Sequence, residues 1–126
     1  MDHLQSYFYT DTIEGFKPLL ENEEMKNVVI SSWKYLVNAN KIKIYAYVIM
    51  PNHVHLIWDM IEPNGKESPA GSFAKYTAHE FKRILSQKNA DALEKYRSDK
   101  ADRHYQFWKR DPLAIPLTTE TSFLHR

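Results

Sequence analysis

Apolar residues recur along this chain at two spacings, every second residue or every third to fourth, and these divide it into strands and helices. Residues 6–13, SYFYTDTI, are aromatic and β-branched and read as a first strand. The GFKPLLEN segment, with Gly15 and Pro18, is loop-like. Asn22 can cap a helix whose first turn holds Glu23 and Glu24, near the positive end of the helix dipole. Met25, Val28, Val29, Trp33 and Leu36 then follow at helical spacing, which predicts an amphipathic helix over 23–38, stopped by Asn38-Ala39-Asn40. Lys41–Met50 alternates, with Ile42, Ile44, Ala46, Val48 and Met50 on one side and Lys43, Tyr45, Tyr47 and Ile49 on the other. Pro51-Asn52 makes a tight break, and His53–Met60 is the antiparallel partner strand.

A long polar loop, IEPNGKESPAG, comes next. Ser72 opens a helix with Phe73, Tyr76, Thr77, Phe81, Ile84 and Leu85 inward, running to about Gln87, and Asn89 can start a shorter one. His104–Arg110 reads as a strand, and residues 111–117, with Pro112 and Pro116, as a short edge strand at best. Thr118 or Thr119 is placed to cap a last helix that opens in ETSFLHR. The order β-α-β-β-α-(α)-β-β-α predicts an α+β fold: a ferredoxin-like antiparallel sheet with helices packed on a face. At 126 residues the chain has room for a single domain, 1–126.

Composition narrows the chemistry. There is no Cys, so disulfides, thiolate metal sites and Cys nucleophiles are excluded, and a metal must be held by His, carboxylate or amide oxygen. No apolar run approaches the roughly 20 residues that span a bilayer, and MDHLQSYFYT lacks the basic and apolar regions of a secretory signal. The expectation is a cytoplasmic protein with no membrane partner. Net charge is +1, but residues 72–110 hold ten Lys/Arg against five Asp/Glu. Such a basic half suits phosphate binding or a solvated helical face equally. On the Ser72 helix, Lys75, His79, Lys82 and Ser86 form one polar stripe with Arg83 beside it. Lys109 and Arg110 make a second basic group. The eight Tyr, six Phe and three Trp favour a sheet and offer flat faces for base stacking.

The segment YVIMPNHVHLIW is the most informative. His53 and His55 lie two apart in a predicted strand, so both imidazoles leave the same face about 7 Å apart. They can converge on one divalent ion while Val54, Leu56 and Trp58 pack on the other side. The run Met50, Pro51, Asn52, His53, Val54, His55, Leu56, Ile57 resembles, position by position, the HUH motif of the single-tyrosine transposases, especially the REP-associated branch. The likeness extends to the first strand and helix, to the basic helix with Phe81-Lys82-Arg83, and to Tyr105-Gln106-Phe107-Trp108.

That resemblance implies an HUH endonuclease fold in which His53 and His55, with a third side chain, hold Mg²⁺ or Mn²⁺. It implies single-stranded or hairpin DNA as partner, with Lys75, Lys82, Arg83, Lys109 and Arg110 as DNA contacts. It also implies cleavage and rejoining through a phosphotyrosine link. A homodimer and a monomer both occur in the family. Its nucleophilic Tyr lies on a helix after the Phe-Trp strand, with the third ligand about one turn further on. Thr119–Arg126 contains no Tyr. Both groups are therefore expected beyond Arg126, as in a C-terminally truncated relative, with Tyr105 as the fallback nucleophile. Two alternatives stand beside this reading. One is a catalytically dead DNA-binding remnant. The other is a metal-dependent hydrolase using Asp59, which shares the strand face of the two histidines.

Overall fold

The structure is a computed structural model that describes residues 5–98 and 105–117. Strands β1 (Ser6–Thr12), β2 (Ile42–Met50), β3 (His53–Met60) and β4 (Leu113–Leu117) form one antiparallel sheet in the order β2-β3-β1-β4. Helix α1 (Glu23–Asn38) connects β1 to β2, and α2 (Pro69–Lys88) with the short α3 (Ala90–Glu94) leads from β3 towards β4. This is the split β-α-β arrangement of ferredoxin-like folds, as the element order predicts. No helix among the described residues is long and apolar enough to cross a membrane.

The helices form where the caps allow. Asn22 accepts from the amides of Glu24 and Met25 to start α1, and Asn40, at φ 60°, lies just past its end. Helix α2 starts at Pro69 rather than Ser72. The Ser68 hydroxyl accepts from the Gly71 amide, and Pro69 fills a first-turn position whose missing N–H is no loss. Its buried stripe is Phe73, Thr77, Phe81, Ile84 and Leu85, whereas Tyr76 lies outside the stripe and is exposed, against expectation. Two short turns, Glu14–Phe16, with Gly15 outside helical φ/ψ, and the 3-10 turn Leu19–Glu21, lie between β1 and α1.

Both helices cover one face of the sheet. That face presents Tyr9, Val54, Leu56, Trp58 and Ile42 to Met25, Val29, Trp33, Leu36, Phe73 and Phe81. The rings interlock, with Trp33 stacked on Phe73 and Phe73 and Phe81 both meeting Trp108. The predicted strand over His104–Arg110 is not continuous. His104 lies outside the described residues, and the rest forms no ladder, its strand-like pairing being limited to two isolated bridges, Ile13 with Trp108 and Arg97 with Tyr105. Phe107 and Trp108 are both buried although adjacent, which a strand facing solvent on one side does not permit. Trp108 is fixed by its indole N–H donating to the Thr77 hydroxyl at 2.9 Å, which in turn donates to the Phe73 carbonyl. The predicted cap at Thr118 or Thr119 and the helix after it lie outside the described residues.

Strand β2 departs from its apparent alternation. Its register with β3 shifts between Ile44 and Ala46, a β-bulge around Tyr45. Ile42 and Ile44 sit opposite Met60 and Trp58, but beyond the bulge Val48 and Met50 sit opposite His55 and His53. The extra residue moves them to the face opposite the helices, where Val48 is 50% and Met50 41% exposed. Regular alternation from Ile42 to Met50 places them on the opposite face, and the bulge corrects it.

Among the described residues, Asp11 is the one buried carboxylate facing the helices. It is 2% exposed, its Oδ1 has no hydrogen-bond partner among the described residues, and burial raises its carboxyl to about 7 despite a backbone hydrogen bond from Thr12. Burial, and then the charge of Asp11, also pushes the Tyr9 phenol upward. Because the folded Asp11 holds its proton more tightly than the unfolded chain, its stabilising contribution is complete at low pH. It is lost as pH rises towards 7, by up to about 4 kcal/mol. Thermal melts followed by circular dichroism should therefore show the melting temperature falling between pH 5 and pH 8. Asp11→Asn should flatten that slope and melt higher than the parent at pH 8.

Candidate metal and nucleic-acid site

The other face of the sheet, which no helix among the described residues covers, carries the two motif histidines. His53 and His55 project from it side by side, with ring centroids 4.6 Å apart and planes at 72°. They stand there because Val54, Leu56 and Trp58 are buried on the helical side, and a strand turns alternate residues to opposite faces. Both imidazoles are half-buried and reachable.

Each ring is held through Nδ1. His53 Nδ1 lies 2.6 Å from Asn52 Oδ1. The Asn52 amide nitrogen faces the Phe16 carbonyl at 3.4 Å, so its oxygen is the end turned to the ring. An amide oxygen can only accept, so His53 carries its proton on Nδ1 and leaves Nε2 with a free lone pair. His55 Nδ1 pairs with the Thr10 hydroxyl at 2.8 Å, and Phe8 stacks on its ring at 5.4 Å and 22°. Partial burial, then the neighbouring His55, lowers the pKa of His53 and so favours the neutral, ligating form. These two Nε2 atoms are the groups that could hold a cation.

The turn that sets this geometry is clamped from outside. Ile13 N–H donates to the Asn52 carbonyl at 2.8 Å, and Leu20 N–H to the Pro51 carbonyl at 2.9 Å. Around the pair the face is mostly apolar, with Phe8, Ile57, Val48, Met50, Leu113 and Ile115. A cavity of about 140 Å³ opens beside His55, between Phe8, Val48 and Ile57. A larger one, about 540 Å³, lies between α1 and the edge of β2 against Trp33, Val37 and Tyr47, and holds no histidine or carboxylate.

Asp59 shares the face of the pair but does not join it. It is 4% exposed, and its two oxygens accept from the Ser6 and Tyr45 hydroxyls. That hydrogen bond pushes the Tyr45 phenol above its ordinary pKa. Among the described residues no group of three His, Cys, Asp or Glu converges on one point.

The basic residues separate into two groups. Lys109 belongs with the pair: its N–H donates to the Thr12 carbonyl at 2.7 Å, Thr12 is opposite His53, and Arg110 follows it. Lys75, Lys82 and Arg83 lie on α2, in the layer on the other side of the sheet, as does the exposed His79. Arg83 is tied to Glu80 at 2.8 Å, Lys75 lies 3.5 Å from Glu67, and the Lys82 ammonium sits over the Tyr105 ring. Tyr105 itself packs beside α3, its hydroxyl between Glu94 and Arg97, and is not brought to the histidines. Sequence reasoning did not identify Thr10, Phe8 or the role of Asn52. For the first two the only signal was their alternation in β1, which acquires meaning once Thr10 is known to lie opposite His55.

No family model matches this chain, and no curated protein matches its sequence. Solved structures do share its fold. A REP-associated tyrosine transposase bound to a REP hairpin is similar with a TM-score of 0.56 at 15% identity, over 99% of this chain. This chain spans 65% of that protein's length. A candidate transposase from Deinococcus radiodurans R1 is similar with a TM-score of 0.57 at 13% identity, over 99% of this chain and 88% of the other. At these identities the likeness is one of fold.

The tautomer at His53 is directly measurable. Long-range ¹H–¹⁵N spectra at mildly alkaline pH should give His53 as the Nδ1–H form. Asn52→Ala should shift it towards the Nε2–H form, and Asn52→Asp, which keeps the acceptor, should restore it. An Nε2–H form in the parent protein would refute the assignment.

Proposed function

We propose that this chain is a DNA-binding domain of the HUH transposase type, in which His53 and His55 hold Mg²⁺ or Mn²⁺ against a phosphate of single-stranded or hairpin DNA. The observation that carries the proposal is the pair of imidazoles on one sheet face, each engaged through Nδ1 and each with Nε2 turned to no partner among the described residues. The donor set fits such an ion in part: two imidazoles are present, and the third donor is not among the described residues. A divalent cation bound there polarises a phosphodiester and offsets the charge that develops on it. Asn52 and Thr10 orient the two rings, and the apolar surroundings lower the local dielectric around the phosphate. Lys109 and Arg110, at the His53 end of the sheet, supply positive charge to the same strand of DNA. Lys75, Lys82 and Arg83 serve DNA that reaches the helical layer, such as a hairpin stem. A hairpin is the ligand held by the transposase of like fold.

Cleavage and rejoining through a phosphotyrosine link needs a nucleophile as well. Tyr7, Tyr9 and Tyr47 lie on the helical side of the sheet, and Tyr45 is bound to Asp59. Binding without cleavage is therefore the second reading for residues 5–117.

Calorimetric titration with Mn²⁺ should show binding that His53→Ala and His55→Ala each weaken at least tenfold, the order expected even of the groups that support a ligand. Hairpin DNA with a single-stranded extension should bind with an affinity that falls steeply with salt. On the same DNA a covalent protein–DNA adduct supports strand transfer, and free ends without adduct support hydrolysis. Binding with no cleavage under either metal supports the second reading. Mn²⁺ affinity indifferent to both substitutions would overturn the metal assignment.

A further inference from the structure

Phe16 breaks two ordinary rules beside the histidine pair. The residue is 60% exposed, among the most exposed of the large apolar residues described. Its backbone is at φ 58°, in the left-handed region that bulky residues avoid, directly after Gly15 at φ 70°. Such a conformation persists only where the surroundings over-determine it, and it gathers at functional sites.

The surroundings here are specific. Phe16 N–H donates to the Ile13 carbonyl at 2.9 Å, and Glu14 N–H to the Phe107 carbonyl at 2.7 Å. The Phe16 carbonyl faces the Asn52 amide nitrogen, and the other end of that amide holds the His53 ring. Phe16 and His53 are thus fixed to opposite ends of one side chain. The Lys109 ammonium lies 4.6 Å from the centre of the Phe16 ring. An exposed ring on a backbone held by hydrogen bonds, a cation over that ring and the histidine pair linked to it through Asn52 match the two things a nucleotide offers, a base to stack and a charged phosphate.

We propose that Phe16 is a stacking platform for one nucleobase of single-stranded DNA, the nucleotide adjoining the phosphate at His53 and His55, with Lys109 as its ionic partner. The inference rests on the function proposed above. Stacking on a lone ring tolerates any base, because every base has a π face. The site therefore selects single-stranded, unpaired nucleotides rather than a particular sequence.

The test uses the full chain and a fluorescein-labelled DNA hairpin with a single-stranded extension, read by anisotropy with Mn²⁺ present. Phe16→Asn removes the ring and places at this φ a residue that tolerates it. Phe16→Ala and Phe16→Trp complete the set. Asn and Ala should weaken binding by about 5- to 100-fold, the range for losing one stacked base, and Trp should retain it. An extension whose sugars lack bases should bind the parent and all variants equally. Mn²⁺ affinity should be the same in every variant. Lys109→Gln should reduce the salt dependence by about one phosphate. Normal DNA affinity for Phe16→Asn, or an equal loss on the baseless extension, would overturn the stacking role while leaving the metal site standing. A parent protein that binds neither Mn²⁺ nor the hairpin overturns both proposals together.

Discussion

One strand, β3, carries two duties that exclude each other, and the pleat of the backbone keeps them apart. Val54, Leu56 and Trp58 must leave water, and His53 and His55 must reach it. A period of two places them on opposite faces without any help from side chains. A slip of one residue would bury both imidazoles and expose a tryptophan, so the hydrophobic core fixes the register of the site. The wall of buried rings behind the sheet is thus the reason two histidines stand together on its front.

The front is rigid for a second reason. The Pro51-Asn52 turn is the junction of three segments: its carbonyls accept from Ile13 and Leu20, and its side chain bridges Phe16 to His53. A positive φ at Phe16 costs on the order of 1–3 kcal/mol. Its own amide bond to Ile13 and the neighbouring bonds to Phe107 and Asn52 hold the loop there. Strain and chemistry meet at one asparagine.

Much of this was legible in the sequence because it depends on local rules. The α+β sheet, the Asn22 and Asn89 caps and the shared face of the histidines all follow from periodicity and capping chemistry. What was not legible depends on pairing across the sheet. A bulge leaves no mark in the alternation of KIKIYAYVIM, so Val48 and Met50 were read as sharing a face with Ile42 and Ile44. The start of α2 was missed because Ser68-Pro69 ends a polar loop whose residues resemble a turn as much as a cap. The partnership of Thr10 with His55 spans 45 residues and exists only through the β1–β3 register. The basic stripe on α2 was visible, but not that the sheet stands between it and the histidines.

The bulge at Tyr45 has an effect beyond the face it rearranges. Strand β2 is one of the two outer strands among the described residues, nine residues rich in aromatic and branched side chains, with Lys43 as its one charge. An edge of that kind, left straight, is a template on which identical chains stack into fibrils. The irregularity between Ile44 and Ala46 interrupts the run of backbone donors and acceptors and sharpens the local twist, so an incoming strand loses its match midway. The kink that turns Val48 and Met50 outward thus also guards a sticky margin against amyloid-like growth.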